Sequence, residues 1–142
     1  MSTFHHSREI PSSPEAVFDA FKNPERLSRW WGPDGFSSSF YTFEFYPGGQ
    51  WLFTMHGPDG VNYPNQSEFL EIIPNSLIRL RHSNLPNFEL SISLKATATG
   101  TLVSWSSDFE NKAFAERMRD FLENANEQNL NRLAEELSHA SA

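Results

Sequence analysis

The middle of the chain alternates between hydrophobic and polar positions, which is the pattern of strands with one buried face. Short segments rich in Gly, Pro, Asn and Ser separate the alternating runs, and such short turns join antiparallel neighbours. A looser alternation between Phe4 and Ile10 predicts one more strand before Pro11. The sequence therefore predicts an antiparallel sheet of about seven strands. The central strands are expected at 40–46, 50–56, 66–73, 77–82, 88–96 and 101–109.

Two helix-start signals follow the first predicted strand. Ser13 precedes Pro14, and Asn23 precedes Pro24. In each pair the polar residue can cap a helix, and proline suits the first helical position. Gly32 is expected to end the second helix. The sequence thus predicts a pair of short helices between the first strand and the rest of the sheet.

Residues 112–139 contain neither Gly nor Pro, and their apolar side chains recur at helical spacing. This pattern predicts one long amphipathic helix. A helix of about 25 residues is roughly 38 Å long, whereas about seven strands span roughly 30 Å, so this helix can cross the whole sheet. We therefore expect an α+β fold in which residues 1–142 form a single domain.

Composition narrows the classes of partner. The 142 residues carry a formal charge of −7, which opposes binding to nucleic acid or to an anionic membrane surface. The chain has no cysteine, which excludes disulfides, thiol nucleophiles and zinc–thiolate sites. No apolar run approaches the roughly 20 residues of a membrane helix, and the N-terminus lacks the pattern of a signal peptide. We expect a soluble, cytoplasmic protein.

Aromatic residues make up 14% of the chain and include 13 Phe and 4 Trp. Many of them fall between Trp30 and Met55, where large rings must either fill a thick core or line a cavity. On the strand at 50–56, alternation places Trp51, Phe53 and Met55 on one face. These observations leave both interpretations open, a packed core and a ligand cavity.

Five sequence blocks occur in a distinctive order. They are SPEAVFDAF at 13–21, PERL at 24–27 leading into WWGP at 30–33, PGGQW at 47–51, GPDG at 57–60 and FLEIIP at 69–74. Together they resemble the family named after the activator of the heat-shock-protein-90 ATPase (AHSA1-like), within the START-like (SRPBCC) superfamily. The resemblance implies a helix-grip fold, with a curved antiparallel sheet around the C-terminal helix and an apolar cavity between them. Relatives commonly carry Gly-Trp in the last helix, where this chain has Gln128, Asn129 and Leu130.

The resemblance and the aromatic content together predict a protein that binds a small hydrophobic or aromatic molecule. The expected ligand-binding residues are Trp30, Trp31, Phe43, Phe45, Trp51, Phe53, Met55, Phe69, Trp105, Phe114, Met118 and Phe121. One alternative is a cyclase-like or hydrolase-like enzyme that uses a pocket carboxylate or histidine. Another is a co-chaperone-like domain that binds a protein partner. No catalytic motif is recognised, and no cofactor is expected.

The five histidines raise the question of a metal site. His56, His82 and either His5 or His6 could approach one another across strands. Their spacing matches no known ligand motif, and catalytic zinc requires three convergent protein ligands. We therefore expect polar strand histidines and no bound metal.

Carboxylates on the predicted strands are the other candidate reactive groups. A carboxyl group turned into an apolar pocket would be suited to general acid–base catalysis. Glu71 lies inside the FLEIIP block and is the strongest candidate. An ion pair with Arg79 or Arg81 would explain the same residue as a structural group.

Overall fold

The computed structural model describes residues 3–84 and 87–140, with side chains through residue 138, and within these ranges seven strands form one antiparallel sheet. The strands are β1 (Thr3–Ile10), β2 (Ser37–Phe43), β3 (Gln50–His56), β4 (Asn62–Ile73), β5 (Leu77–His82), β6 (Phe88–Ala96) and β7 (Thr101–Phe109). Their order in the sheet is β1-β7-β6-β5-β4-β3-β2, so β1 and β2 are the edge strands. The predicted α+β class and the curved antiparallel sheet are confirmed.

Two short helices connect β1 to β2, as the capping signals predict. Helix α1 spans Pro14–Lys22 and helix α2 spans Pro24–Trp30. The Ser13 hydroxyl accepts a hydrogen bond from the backbone N–H of Ala16, which caps α1. The Asn23 side chain accepts from the first backbone N–H groups of α2 and caps it in the same way. Asn23 is also the last cap of α1, so this one residue forms the turn between the helices.

The C-terminal helical region contains a break that the sequence does not predict. Helix α3 spans Lys112–Arg117 and helix α4 spans Arg119–Ala140, so the expectation of one unbroken helix over 112–139 is wrong at Met118. Met118 adopts φ −100° and ψ 12°, outside the helical region. Residues on both sides of the break, among them Ala115 of α3 and Leu122 of α4, pack in one cluster with Phe4 and Phe109. The long C-terminal helix itself is confirmed.

A bulge in β2 places two aromatic rings on the same side of the sheet. Phe40 lies opposite Phe53, and Phe43 lies opposite Trp51, with a shift in register between Phe40 and Thr42. Residues three apart on a regular strand would face opposite sides, so the shift is what aligns them. The strand also ends earlier than the predicted 40–46. We call the face that carries these rings the inner face.

The Pro-Gly-Gly turn between β2 and β3 is tied to β4. The backbone N–H of Gly48 donates to the carbonyl of Phe69 at 2.8 Å, and the N–H of Phe69 donates to the carbonyl of Gly49 at 2.9 Å. A Cβ at Gly49 would lie 2.0 Å from the carbonyl oxygen of Glu44, so no larger residue fits there. This arrangement brings Phe45 within 5.2 Å of the Phe69 ring.

Candidate ligand-binding site

Three tryptophans meet on the inner face. The ring centroid of Trp31 lies 5.0 Å from that of Trp51 and 5.5 Å from that of Trp105. The centroids of Trp51 and Trp105 are therefore at most 10.5 Å apart, the sum of these distances. Strands β4, β5 and β6 separate β3 from β7, and in a flat sheet that separation would be about 19 Å. The sheet thus curves around the Trp31 ring.

The Trp51 indole is deeply buried, yet its polar atom is unpaired. The side chain is 1% exposed, and its ring stacks on Phe53 at 4.4 Å and on Phe69 at 5.9 Å. Across the part of the chain that the structure describes, Nε1 of Trp51 has no hydrogen-bonding partner. A buried donor without a partner costs about 1 to 3 kcal/mol. The neighbouring Trp30 is different, because its Nε1 donates to the carbonyl of Ala20 at 3.0 Å.

The C-terminal half of α4 seals one end of the inner face. Leu130 and Leu133 are fully buried, and Leu137 is 2% exposed. These leucines belong to the main core together with residues of α1, α2 and the sheet. Helix α4 also contacts α1, α2 and β1 directly. This end of the interior is closed by buried apolar side chains.

The N-terminal half of α4 covers the inner face less completely. Leu122 is half-buried, and Phe121 is 57% exposed. The exposure of Phe121 contradicts the expectation that this ring faces the sheet. Met118 itself is half-buried at the junction of the two helices. No side chain of α4 before Asn129 is fully buried, in contrast to the leucines of the C-terminal half.

Phe114 also lies away from the tryptophans. It packs on the smaller cluster formed by Phe4, Phe109 and Ala115, and its ring centroid is 6.1 Å from that of Phe109. Helical spacing placed it correctly on the buried side of its helix. Phe114 nevertheless belongs to the cluster around Phe4 and Phe109 and not to the one around the tryptophans.

Other predicted site residues lie close to the three tryptophans. Phe43 and Phe45 stack with their centroids 5.6 Å apart. Met55 is half-buried beside Gly32, where a Cβ would lie 2.5 Å from the Met55 methyl group. Trp30 is 1% exposed and packs edge-on against Trp31 at 5.6 Å, so it supports the Trp31 ring from behind.

Polar residues of α4 hold the segment that carries Trp31, a feature that sequence analysis missed. The Asn129 side chain donates to the carbonyl of Trp30 at 3.2 Å and accepts from the N–H of Gly32 at 3.4 Å. The Arg132 guanidinium donates to the backbone carbonyls of Arg29, Trp31, Gly32 and Pro33. Burial lowers the pKa of Arg132, and these carbonyls compensate the loss of hydration. The only signal in the sequence is the departure from the family pattern around Asn129.

An ion-pair cluster fixes α2 to the same helix. Glu136 accepts hydrogen bonds from Arg29 at 2.9 Å and from Arg26 at 3.1 Å, and its side chain is 11% exposed. The hydrogen bond from Arg29 and then that from Arg26 hold the pKa of Glu136 below its ordinary value of 4.5. A carboxyl group whose pKa is lowered on folding stabilises the protein above its unfolded pKa and loses that effect as the pH falls through its folded pKa.

Replacing Glu136 by Gln is therefore expected to destabilise the protein at neutral pH and to matter less in acid. The expected loss at pH 7 is about 1 kcal/mol, because solvent reaches Arg29 and screens the pair. Urea unfolding of both proteins between pH 7 and pH 3 measures the effect. The difference should shrink as the pH falls below 4.5. Glu9→Gln, at an exposed position of β1, is the control, and a Glu136→Gln loss that is independent of pH would contradict this account.

The histidines do not converge. His56 bonds to the Ser39 hydroxyl at 2.7 Å, whereas His82 is 6% exposed and bonds to the Asn65 side chain at 2.7 Å. Among the described residues, no group of three His, Cys, Asp or Glu side chains is placed to hold a metal ion. The arrangement of these histidines corresponds to polar strand residues with local partners.

Glu71 lies in an ion pair and not in an apolar pocket. It accepts a hydrogen bond from Arg79 at 3.1 Å, and the two side chains are 43% and 39% exposed. The structural interpretation of this residue fits the geometry better than acid–base catalysis.

A nearby cleft of about 450 Å³ at the ends of β5, β6 and β7 is strongly polar. It is lined by Arg81, Asn87, Phe88, Glu89, Asp108 and Glu110, which do not suit an apolar ligand.

Solved structures of bacterial proteins share this fold. A crystal structure of a protein from Nitrosomonas europaea is 21% identical, with a TM-score of 0.89, and the match covers 98% of this chain and 96% of that one. A solution structure of a protein from Arthrobacter aurescens is 22% identical, with a TM-score of 0.89 and coverage of 97% and 87%. An AHSA1-like protein from Aeromonas hydrophila is 15% identical, with a TM-score of 0.78 and coverage of 98% and 94%. Identities this low establish the fold alone.

The family assignment comes from the sequence. No curated protein matches the chain. None of the described helices is long and apolar enough to cross a membrane. The family described as Activator of Hsp90 ATPase homolog 1-like protein matches residues 11–138. Because that match covers most of the chain, this protein belongs to the Activator of Hsp90 ATPase homolog 1-like family.

Proposed function

We propose that this protein binds a small hydrophobic or aromatic molecule on the inner face, beneath the N-terminal half of α4. The fold of the family commonly binds hydrophobic ligands. The half-buried rings of Trp31 and Phe43 and the Met55 side chain supply an apolar wall on the inner face. The close packing of Leu130 and Leu133 closes the other end, so the ligand enters beside α3 and the start of α4.

The unpaired Trp51 N–H is the observation that carries this proposal. A packed core that served stability alone would gain by pairing this donor or by replacing it with an apolar group. A ligand with a carbonyl, ether or hydroxyl oxygen would accept the hydrogen bond and recover the lost energy. The rings of Phe53 and Phe69 around Trp51 favour a flat, aromatic ligand.

Trp31 forms the movable wall of the proposed site. Its backbone carbonyl is held by Arg132, and the neighbouring peptides are held by Asn129. Its side chain is only half-buried and contacts both Trp51 and Trp105. A fixed backbone with a less confined ring allows the ring to turn aside for a ligand while the surrounding loop stays in place.

Titration with apolar probes tests this function. Pyrene and palmitate should change tryptophan emission saturably, because a ligand at this site contacts indole rings. Trp31→Ala should weaken binding about tenfold, a loss of about 1.4 kcal/mol, while circular dichroism shows the fold retained. Tyr41→Ala, at a side chain that is 68% exposed, is the matched control and should bind like the native protein. Absence of saturable binding across a varied set of apolar and aromatic probes would contradict the proposal.

A further inference from the structure

His6 lies at the edge of the proposed site and is held by α4. In the register of β1 and β7 it is directly opposite Trp105, whose ring contacts Trp31. Its Nδ1 is 2.7 Å from a carboxylate oxygen of Glu127, and its side chain is 12% exposed. Alternation along β1 places its neighbour His5 on the other face, where His5 bonds to Ser106. The two adjacent histidines therefore have different environments.

The carboxylate that holds His6 is itself fixed. Arg8 donates to the second oxygen of Glu127 at 3.2 Å. Arg8 also donates to the side chain of Asn131 one turn further along α4. Arg8 and His6 lie on the same side of β1 because they are two residues apart. Glu127 thus accepts from both side chains and holds the imidazole in one orientation.

This geometry determines which nitrogen of His6 can meet a ligand. An ionised carboxylate is an acceptor only, so the proton between the two groups belongs to Nδ1 of His6. In the neutral ring Nε2 then carries a lone pair and is an acceptor. Nε2 makes no hydrogen bond to any residue in the ranges 3–84 and 87–138. This acceptor, on the residue that pairs with Trp105 in the sheet, is therefore left without a partner among those residues.

We propose that His6 is a polar recognition residue of the ligand site and that the ligand is a small aromatic molecule with a hydroxyl group. The hydroxyl proton is donated to Nε2 of His6 while the ring of the ligand packs against Trp105 and Trp31. Glu127 is a positioning residue, because it acts through the imidazole. This proposal rests on the proposed function and specifies the class of ligand.

A pair of probes that differ by one hydroxyl group tests the recognition. The native protein should bind 2-naphthol up to about tenfold more tightly than naphthalene, as one hydrogen bond predicts, measured by displacement of bound pyrene. His6→Phe should lose the part of this preference that the Nε2 hydrogen bond supplies, while the hydrogen bond from the Trp51 N–H to the hydroxyl oxygen remains. His5→Phe, which changes the adjacent histidine on the opposite face, should keep the preference for 2-naphthol. A His6→Phe protein that prefers 2-naphthol as strongly as the native protein does would overturn the proposal.

Nitrogen-15 spectra of the native protein give a second test that does not depend on a variant folding. His6 should have a protonated Nδ1 and an unprotonated Nε2, and 2-naphthol should shift the Nε2 signal. Glu127→Gln should weaken the tautomer preference and reduce the selectivity for 2-naphthol.

If neither naphthalene nor 2-naphthol binds, the proposed function fails for aromatic ligands. If both bind equally well to the native protein, only the hydroxyl recognition is wrong.

Discussion

Replacing Leu133 by Ala is expected to lower the free energy of unfolding by about 3 to 5 kcal/mol. Leu133 is fully buried between Leu130 and Leu137 at the sealed end of the inner face. Truncation removes apolar contacts and leaves a cavity that close-packed neighbours cannot fill. Urea unfolding followed by circular dichroism measures the change. An effect of this size would show that the C-terminal half of α4 is part of the core.

Phe121→Ala on the same helix is the control for that measurement. Phe121 is a larger apolar residue but is 57% exposed, so its loss should change the free energy of unfolding by no more than about 0.5 kcal/mol. The comparison tests the orientation of α4 against the sheet. Equal losses from Leu133→Ala and Phe121→Ala would mean that the helix packs on the sheet in another orientation.

Two substitutions of Trp51 are expected to differ strongly in their effect on the free energy of unfolding. Trp51→Ala should destabilise the protein by about 3 to 5 kcal/mol, because the ring fills space between Phe53 and Phe69. Trp51→Phe should be much closer to neutral, because removal of an unpaired N–H recovers about 1 to 3 kcal/mol and offsets the lost ring volume. The same Phe variant should bind ligands with a hydrogen-bond acceptor more weakly.

Trp30→Phe separates the effect of the N–H group from that of ring size. Trp30 and Trp51 are both 1% exposed, but the Trp30 N–H is bonded to the carbonyl of Ala20. Removing that donor leaves a buried carbonyl without its partner. Trp30→Phe should therefore cost more than Trp51→Phe in thermal or urea unfolding. Equal costs would show that the Trp51 indole is paired in solution.

The fold was predictable because its signals are local. Alternation and turn residues located the strands, and Ser13 and Asn23 located the starts of α1 and α2. The break at Met118 was not predictable, since neither Gly nor Pro marks it. The bulge after Phe40 was missed for the same reason. Its cause is the pairing with β3, which a single sequence does not reveal.

The candidate site was predictable only in part. Aromatic content and alternation on β3 identified Trp51 and its neighbours, and these rings do cluster. Contacts between residues distant in sequence were not predictable. The bond between His6 and Glu127 joins residues 121 positions apart, and Arg132 reaches the Trp31 carbonyl across 101 positions. The predicted orientation of Phe121 was wrong because a wide apolar stripe does not determine how a helix is rotated about its own axis.

The indole N–H signals of the four tryptophans test the central claim most directly. We expect 2-naphthol, titrated into nitrogen-15-labelled protein, to shift the signals of Trp31, Trp51 and Trp105 saturably, with the unpaired Trp51 N–H moving most. The Trp30 signal should stay in place, because its N–H is bonded to Ala20 at the sealed end. Substitutions to Phe assign each signal. Absence of a saturable shift, or an equal shift of all the indole signals including Trp30, would contradict a ligand site on the open part of the inner face.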